Sequence, residues 1–220
     1  MIFFGVPTID GRIDVDCAIG LFREVIYRGG QTYFHKGISD IALARNIIVH
    51  RFLKSDCDQL MMIDSDIIFS ERDFSLLLES ENDIVTAPYA RKIPGKAPAL
   101  FGLGFTLVHR RVFEQIDQLV NDEGREIAAK FYMDGEIHTN YFPVGVTGDS
   151  RWLGEDRAFF TLCAMCQIPY TMENRCRLNH MGSFVYGYPN QSNNVEWWGD
   201  PAGKGDHQEE MTDSRPVQVM

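Results

Sequence analysis

Long apolar runs are missing from this 220-residue chain. No stretch approaches the ~20 consecutive apolar residues that span a bilayer, so no membrane partner is expected. A basic leader is missing as well: Ile2, Phe3, Phe4, Gly5 and Val6 follow Met1 directly, and Pro7 cuts the run short. That pattern reads as a first buried strand and not as a secretory signal. Cysteine is scarce and odd in number, five residues in all. This argues against a disulfide framework and for reduced thiols in a cytoplasmic protein. Internal repeats are absent. Acid is missing from residues 86–113, whose charges are Arg91, Lys92, Lys96, Arg110 and Arg111, although the whole chain carries a net charge of −10. The overall acidity therefore excludes little, because a basic strip survives inside it.

What is present is the make-up of a soluble globular domain: 45% hydrophobic, 24% charged and 12% aromatic residues, in a length that suits one compact core. Residues 2–6 predict a strand and 16–28 a helix ended by Gly29 and Gly30. Residues 31–35 predict a second strand. Ser39 stands as N-cap before an amphipathic helix carrying Ile41, Ala42, Ala44, Ile47, Ile48, Phe52 and Leu53. Leu60, Met61, Met62 and Ile63 form an apolar strand that stops at Asp64. Ser70 and Asp73 make a capping-box-like start for a helix with Phe74, Leu77 and Leu78, and 84–87 a further strand. This alternation predicts an α/β layered fold with a mainly parallel sheet. Further on, 103–108 and 170–174 read as strands, 111–120 and 156–166 as helices, and 121–149 as a long polar region. Residues 1–188 are expected to form one domain and 189–220 a polar, acidic and partly mobile tail.

In open α/β sheets, ligands bind beyond the carboxyl ends of the strands. Asp64, Ser65 and Asp66 stand at such an end. Two carboxylates two residues apart on an extended turn can face one hard cation, as Mg²⁺ or Mn²⁺ bridging a diphosphate requires. Taken alone, such a triplet reads more readily as a solvated acidic turn, and its place after an apolar strand shifts the balance toward a site without deciding it.

The run from Asp40 through Arg45 and Asn46, followed by Asp58 to Ile67 with its Asp64, Ser65 and Asp66, resembles the donor half of GT-A-fold glycosyltransferases. So does Pro7 with Thr8 after the first strand. Gly102 and Gly104 before residues 108–113 are similar to the acceptor loop of that family. Gly154, Glu155 and Asp156 are similar to its late acidic motif, and His180 falls where a C-terminal metal-binding histidine is expected. The resemblance covers residues 2–186, and the small size is most like phage-encoded members, which would place the chain in a host cytoplasm.

The resemblance implies a GT-A-type, Rossmann-like fold: a central, mainly parallel sheet with flanking helices. It also implies transfer of a hexosyl or pentosyl group from a nucleotide-sugar donor, UDP-linked, with a divalent metal, Mn²⁺ or Mg²⁺. Asp66 and His180 would hold the metal, with Asp64 either joining them or binding the donor ribose. Pro7, Thr8, Arg45, Asp64, Ser65, Gly102 and Gly104 would lie along the nucleotide sugar. Asp156, with Glu155 beside it, would be the general base. For the acceptor, the phage-like resemblance and the basic strip imply a hydroxymethylated base in double-stranded DNA, with Phe101, Phe105 or Trp152 stacking on a flipped base. The net charge of −10 favours a glycan or small molecule instead.

Other readings stay open on the sequence. A nucleotidyltransferase also pairs aspartates with a metal, and a non-catalytic nucleotide-sugar or glycan-binding module would need no Asp156. Cys163, Cys166, Cys176 and His180 mimic zinc-ligand spacing, but Cys163 and Cys166 read as the apolar face of a helix.

Overall fold

The computed structural model describes residues 1–92, 98, 101–122, 128–148, 150–182 and 185–186. The tail expected at 189–220 lies outside the described residues, as does Lys96. In chain order the elements are β1 (Ile2–Thr8), α1 (Val15–Arg28), β2 (Gln31–Lys36), α2 (Ile41–Leu53), β3 (Gln59–Ile63), β4 (Ile67–Ile68), α3 (Glu71–Leu78), β5 (Ile84–Thr86), β6 (Phe105–His109) and α4 (Arg110–Asp122). Then come β7 (Lys130–Met133), β8 (Glu136–Thr139), β9 (Gly145–Val146), β10 (Trp152–Leu153), α5 (Glu155–Met165), β11 (Thr171–Met172), β12 (Asn179–Met181) and β13 (Val185–Tyr186).

Six strands form the central sheet in the order β11-β5-β6-β3-β1-β2. β2, β1 and β3 are parallel to one another, β11 is parallel to β5, and β6 alone runs antiparallel, between β3 and β5. The period of two along each strand divides its side chains between two cores. Phe3, Leu60, Met62 and Val108 pack with Phe52 of α2, Phe113 of α4 and Phe159 of α5. Phe4, Met61, Ile63 and Leu107 pack on the other face with Leu21 of α1 and Phe74 of α3. The α/β class, the mainly parallel sheet and the flanking helices expected of a GT-A-type fold are all present. Among the described residues, no helix is long and apolar enough to cross a membrane.

Local chemistry sets the helix starts. Ser70 and Asp73 form the expected capping box of α3. The cap of α2 is Asp40 and not Ser39, because the Asp40 carboxylate accepts from the N–H groups of Ala42 and Leu43 and places a negative charge at the helix's positive end. Helix α2 is also buried more fully than an amphipathic helix would be, with Arg45 and Asn46 among its buried residues. The reason lies in residues 121–149. What reads as a polar stretch contains a β7–β8 hairpin, turned at Asp134 (φ 52°) and Gly135 (φ 84°), the positive pair that a tight hairpin turn requires. The chain after it docks on α2: Asn46 Nδ2 donates to Asn140 Oδ1 (2.8 Å), and the Tyr141 N–H donates to Asn46 Oδ1 (2.9 Å).

The far end of α2 is closed by one arginine. Arg110 donates to the carbonyls of Phe52, Leu53, Ser55 and Cys57 at 2.6–3.0 Å and lies 4.7 Å from the Phe52 ring centroid. Its neighbour Arg111 pairs with Asp83 at the surface. Arg110→Leu should therefore lower stability by about 2–4 kcal/mol, since it strips charged donors from several carbonyls at once. Arg111→Leu should leave the urea midpoint nearly unchanged.

Candidate active site

A cleft of about 390 Å³ opens at the carboxyl ends of β1 and β3. Pro7 and Thr8 close β1 on one side, Ile38, Ser39 and Ile41 form a second wall, and Asp64, Ser65, Asp66, Lys92 and His180 a third. The acidic turn is held rigidly from behind. The Asp64 carbonyl accepts from the Ile67 N–H (3.1 Å) and the Cys17 thiol (3.5 Å), that of Ser65 from the Asp14 N–H (2.8 Å), and that of Asp66 from the Met181 N–H (2.7 Å). Burial and the nearby acids push the Cys17 thiol up to about 12, so it remains a donor.

Asp66 and His180 meet through a small second sheet, β13-β12-β4, in which His180 pairs with Ile67. The His180 Nδ1–H donates to the Ala90 carbonyl (2.8 Å). A carbonyl can only accept, so Nε2 carries the ring's lone pair in the neutral form, and Nε2 lies 3.1 Å from Asp66 Oδ1. Two acceptors that close need a proton or a cation between them; a backbone-anchored imidazole opposite a carboxylate is the way ligating histidines are oriented. Lys92 pairs with the other Asp66 oxygen. Burial pushes the Asp66 carboxyl up, but His180 and Lys92 together hold it below the usual range.

Behind Asp64 lies a second acidic group. Arg45 is 2% exposed; its Nη2 is 3.0 Å from Asp64 Oδ1, 3.8 Å from Asp156 Oδ1 and 4.0 Å from Glu155 Oε1. Asp156 also accepts from the Leu103 N–H (3.1 Å). Burial raises its carboxyl to about 6; Arg45 and the Leu103 N–H oppose the rise, and the charges of Glu155 and Asp64 add to it. The loop carrying Leu103 is pinned at both ends. Thr86 and Thr106 hydroxyls reach the Gly102 carbonyl (2.6 and 2.9 Å), the Asp64 N–H donates to the Gly104 carbonyl (2.9 Å), and the Ala87 N–H donates to Phe105 (3.1 Å). Tyr89, 6% exposed, fills the space beneath: burial and the charges of Asp64 and Asp156 raise its hydroxyl well above 10.

The cleft thus gathers Pro7, Thr8, Asp64, Ser65, Asp66 and His180. The other expected residues stand elsewhere. Arg45, expected along the nucleotide, is buried against Asp64, Asp156 and Glu155, with Tyr89 beside it. Gly102 and Gly104 are buried as well; they position Leu103 and Asp64 through their carbonyls and do not line the cleft. Phe101 turns inward against Phe160 and Tyr170 and Phe105 is fully buried, so of the three expected stacking aromatics only Trp152, 68% exposed, is free. The basic strip is not one surface: Lys92 pairs with Asp66, Arg110 faces α2, Arg111 pairs with Asp83, and Arg91 is exposed. The zinc-like spacing does not assemble either. Cys163 and Cys166 belong to one core and Cys176 to the other. Tyr89 carried no signal in the sequence, and Lys92 stood out there only as one cation of the acid-free strip.

Two predictions follow from this geometry. A Cβ on Gly104 would fall 2.6 Å from Asp64 Oδ2 and 3.0 Å from the Tyr89 ring, so Gly104→Ala should cost about 1–3 kcal/mol and displace Asp64. A crystal structure of the variant with Asp64 unmoved would contradict this. Asp156 ionises at about 6 folded against 3.8 unfolded, so between those values the folded chain keeps a proton that the unfolded chain has released. Stability therefore falls as pH rises through this window. Asp156→Asn should be more stable than the parent at pH 7, by about 1–3 kcal/mol, and the gain should vanish below pH ~4; chemical denaturation at both pH values checks it.

No family model matches the sequence, and no curated protein matches it. Among solved structures the chain is similar to A197 from STIV, with 15% identity over 94% of this chain and 98% of that one and a TM-score of 0.51. It is also similar to a glycosyltransferase involved in the glycosylation of the major capsid of PBCV-1 (13% identity, 79% and 82% covered, TM-score 0.44). A third is the catalytic domain of Drosophila beta1,4-galactosyltransferase 7 in complex with xylobiose (17% identity, 78% and 63% covered, TM-score 0.46). At these identities what is shared is the fold, and the first likeness carries it, over nearly the whole length of both chains.

Proposed function

We propose that this chain is a divalent-metal-dependent glycosyltransferase that takes a sugar from a uridine diphosphate donor and passes it to an acceptor hydroxyl. The observation that carries the reading is the adjacency of two different acidic sites around one loop: Asp64, Asp66 and His180 at the cleft, and Asp156, raised to about 6, beyond Gly104. The first suits a cation and a diphosphate, the second a proton.

The donor types suit a hard divalent cation, and Asp64, which does not close with Asp66 and His180 to within 4.8 Å, would turn to join them. His180 Nε2 and Asp66 Oδ1 face each other at 3.1 Å, and Asp64, one of whose oxygens is held by Arg45, adds the other or turns it to the donor ribose. When bound there, Mn²⁺ or Mg²⁺ supplies Lewis-acid stabilisation of the leaving diphosphate. Pro7, Thr8 and Ser65 line the same cleft and would flank the nucleotide. Lys92, released from Asp66, has the charge to follow a phosphate. As the acceptor oxygen bonds to the sugar's anomeric carbon, its proton passes to Asp156 and the bond to the diphosphate breaks. A base near 6 is ionised at neutral pH yet still accepts a proton readily. Glu155 shares the counter-charge of Arg45 and helps keep Asp156 basic.

The nucleotidyltransferase reading is less well supported, since residues 5–12 carry one cation, Arg12, and two separated glycines, a poor match for a basic or glycine-rich triphosphate loop. The scattered basic strip favours an uncharged acceptor, a glycan or small molecule, over a hydroxymethylated base in DNA.

The test is release of nucleoside diphosphate from a panel of nucleotide sugars, offered with glycans, small alcohols and hydroxymethylated duplex DNA, with and without Mn²⁺ and chelator. Asp66→Ala should abolish turnover with the fold intact. Asp156→Asn should retain donor affinity by calorimetry while kcat falls roughly 10²–10⁴-fold. In the parent, kcat/KM should rise with pH to a plateau with its midpoint near 6. Full activity in excess chelator, or turnover of nucleoside triphosphates alone, would overturn the proposal.

A further inference from the structure

A second cluster of ligating side chains lies away from the cleft. His50 is on the last turn of α2, and Glu136 and His138 are on β8. One nitrogen or oxygen from each lies within 4.8 Å of the others. His50 Nε2 is 2.7 Å from Glu136 Oε2, and the two imidazole rings are centred 4.0 Å apart. His138 is 6% exposed; its Nε2 faces the Met133 carbonyl (3.3 Å), and its Nδ1 is buried with no hydrogen-bond partner among the described residues. An imidazole with one nitrogen held by a backbone carbonyl and the other left as a buried lone pair is set up as a metal ligand.

We propose that His50, Glu136 and His138 form a site for a borderline divalent ion, Zn²⁺ foremost, that ties the β7–β8 hairpin to α2. Two imidazoles and one carboxylate suit Zn²⁺ and disfavour Mg²⁺, the reverse of the preference of the paired aspartates in the cleft. Tetrahedral ligands at ~2.1 Å from zinc stand about 3.4 Å apart, so the His50–Glu136 pair at 2.7 Å must open slightly and any separation near the 4.8 Å limit must close. Glu136 and His50, whose side chains are 47% and 23% exposed, are free to move, while His138 is fixed. Lys54 is the competitor: its Nζ lies 2.6 Å from both Glu136 oxygens, and the metal would displace it.

Zinc binding is measured by competition with a chromophoric chelator, using the full chain without a histidine tag and in an Asp66→Ala background that disables the cleft site. The expected result is one Zn²⁺ per chain, weakened at least about tenfold by His50→Ala or His138→Ala and tightened by Lys54→Gln. Co²⁺ should give the visible absorption of a low-coordinate site, and His50→Ala should remove it. If His138→Ala fails to fold, the surface variant His50→Ala decides. No zinc in the Asp66→Ala chain, or unchanged zinc and Co²⁺ spectra with His50→Ala, would overturn the proposal. Neither outcome bears on the cleft.

Discussion

One buried guanidinium organises this molecule. Arg45 faces three carboxylates from two other parts of the chain, Asp64 after β3 and the adjacent Glu155 and Asp156 at the start of α5. Three carboxylates within 4.0 Å of one cation would repel one another without it, and none could be left half-buried at that spacing. Its Nε and Nη1 have no hydrogen-bond partners among the described residues, so its hold is by charge more than by directed bonds. Arg45 also leaves an imbalance. Burial does most to raise the Asp156 carboxyl, and the surplus of negative charge from Glu155 and Asp64 adds to the rise and makes the wall electronegative.

Much of this fold could be read from the sequence because its causes are local. The strand–helix alternation lies in short apolar runs, and the capping box of α3 needs only Ser70 and Asp73. The turn of the β7–β8 hairpin was also written locally, as Asp134 and Gly135, but the polar flanks hid the strands around it. Other features could not be read. The strands that bring His180 to Asp66 are two or three residues long and have no periodicity to detect; only their pairing with each other defines them. Arg45 could be singled out in the sequence but not as a buried residue, because the acids that surround it, Asp64, Glu155 and Asp156, are distant in the chain.

The same distinction between local and distant causes separates the basic strip from the acidic turn. A run of like charge says nothing about where each side chain will point. Arg110 and Arg111 are adjacent, yet one is drawn into the carbonyls at the end of α2 and the other into a surface pair with Asp83. The acidic turn keeps its direction because neighbours on three other elements bind its backbone carbonyls. Side-chain charge identified a region, and backbone hydrogen bonding decided what it could do.

The reversed direction of β6 has a consequence for how this cleft can change. Because β6 runs against β5, the chain leaves the sheet at Ala87 and re-enters beside it at Phe105, and the two are joined by a hydrogen bond of 3.1 Å. The excursion between them is a closed loop whose neck is fixed by the sheet. Each doubling of such a loop's length costs only about 0.6 kcal/mol of closure entropy. Ala90 holds His180, Lys92 pairs with Asp66, the Leu103 N–H donates to Asp156 and the Gly104 carbonyl accepts from Asp64, so only a change of length between residues 92 and 101 leaves these contacts in place. Added length there would be cheap in closure entropy, whereas a change at the neck itself would break the pairing of β5 with β6.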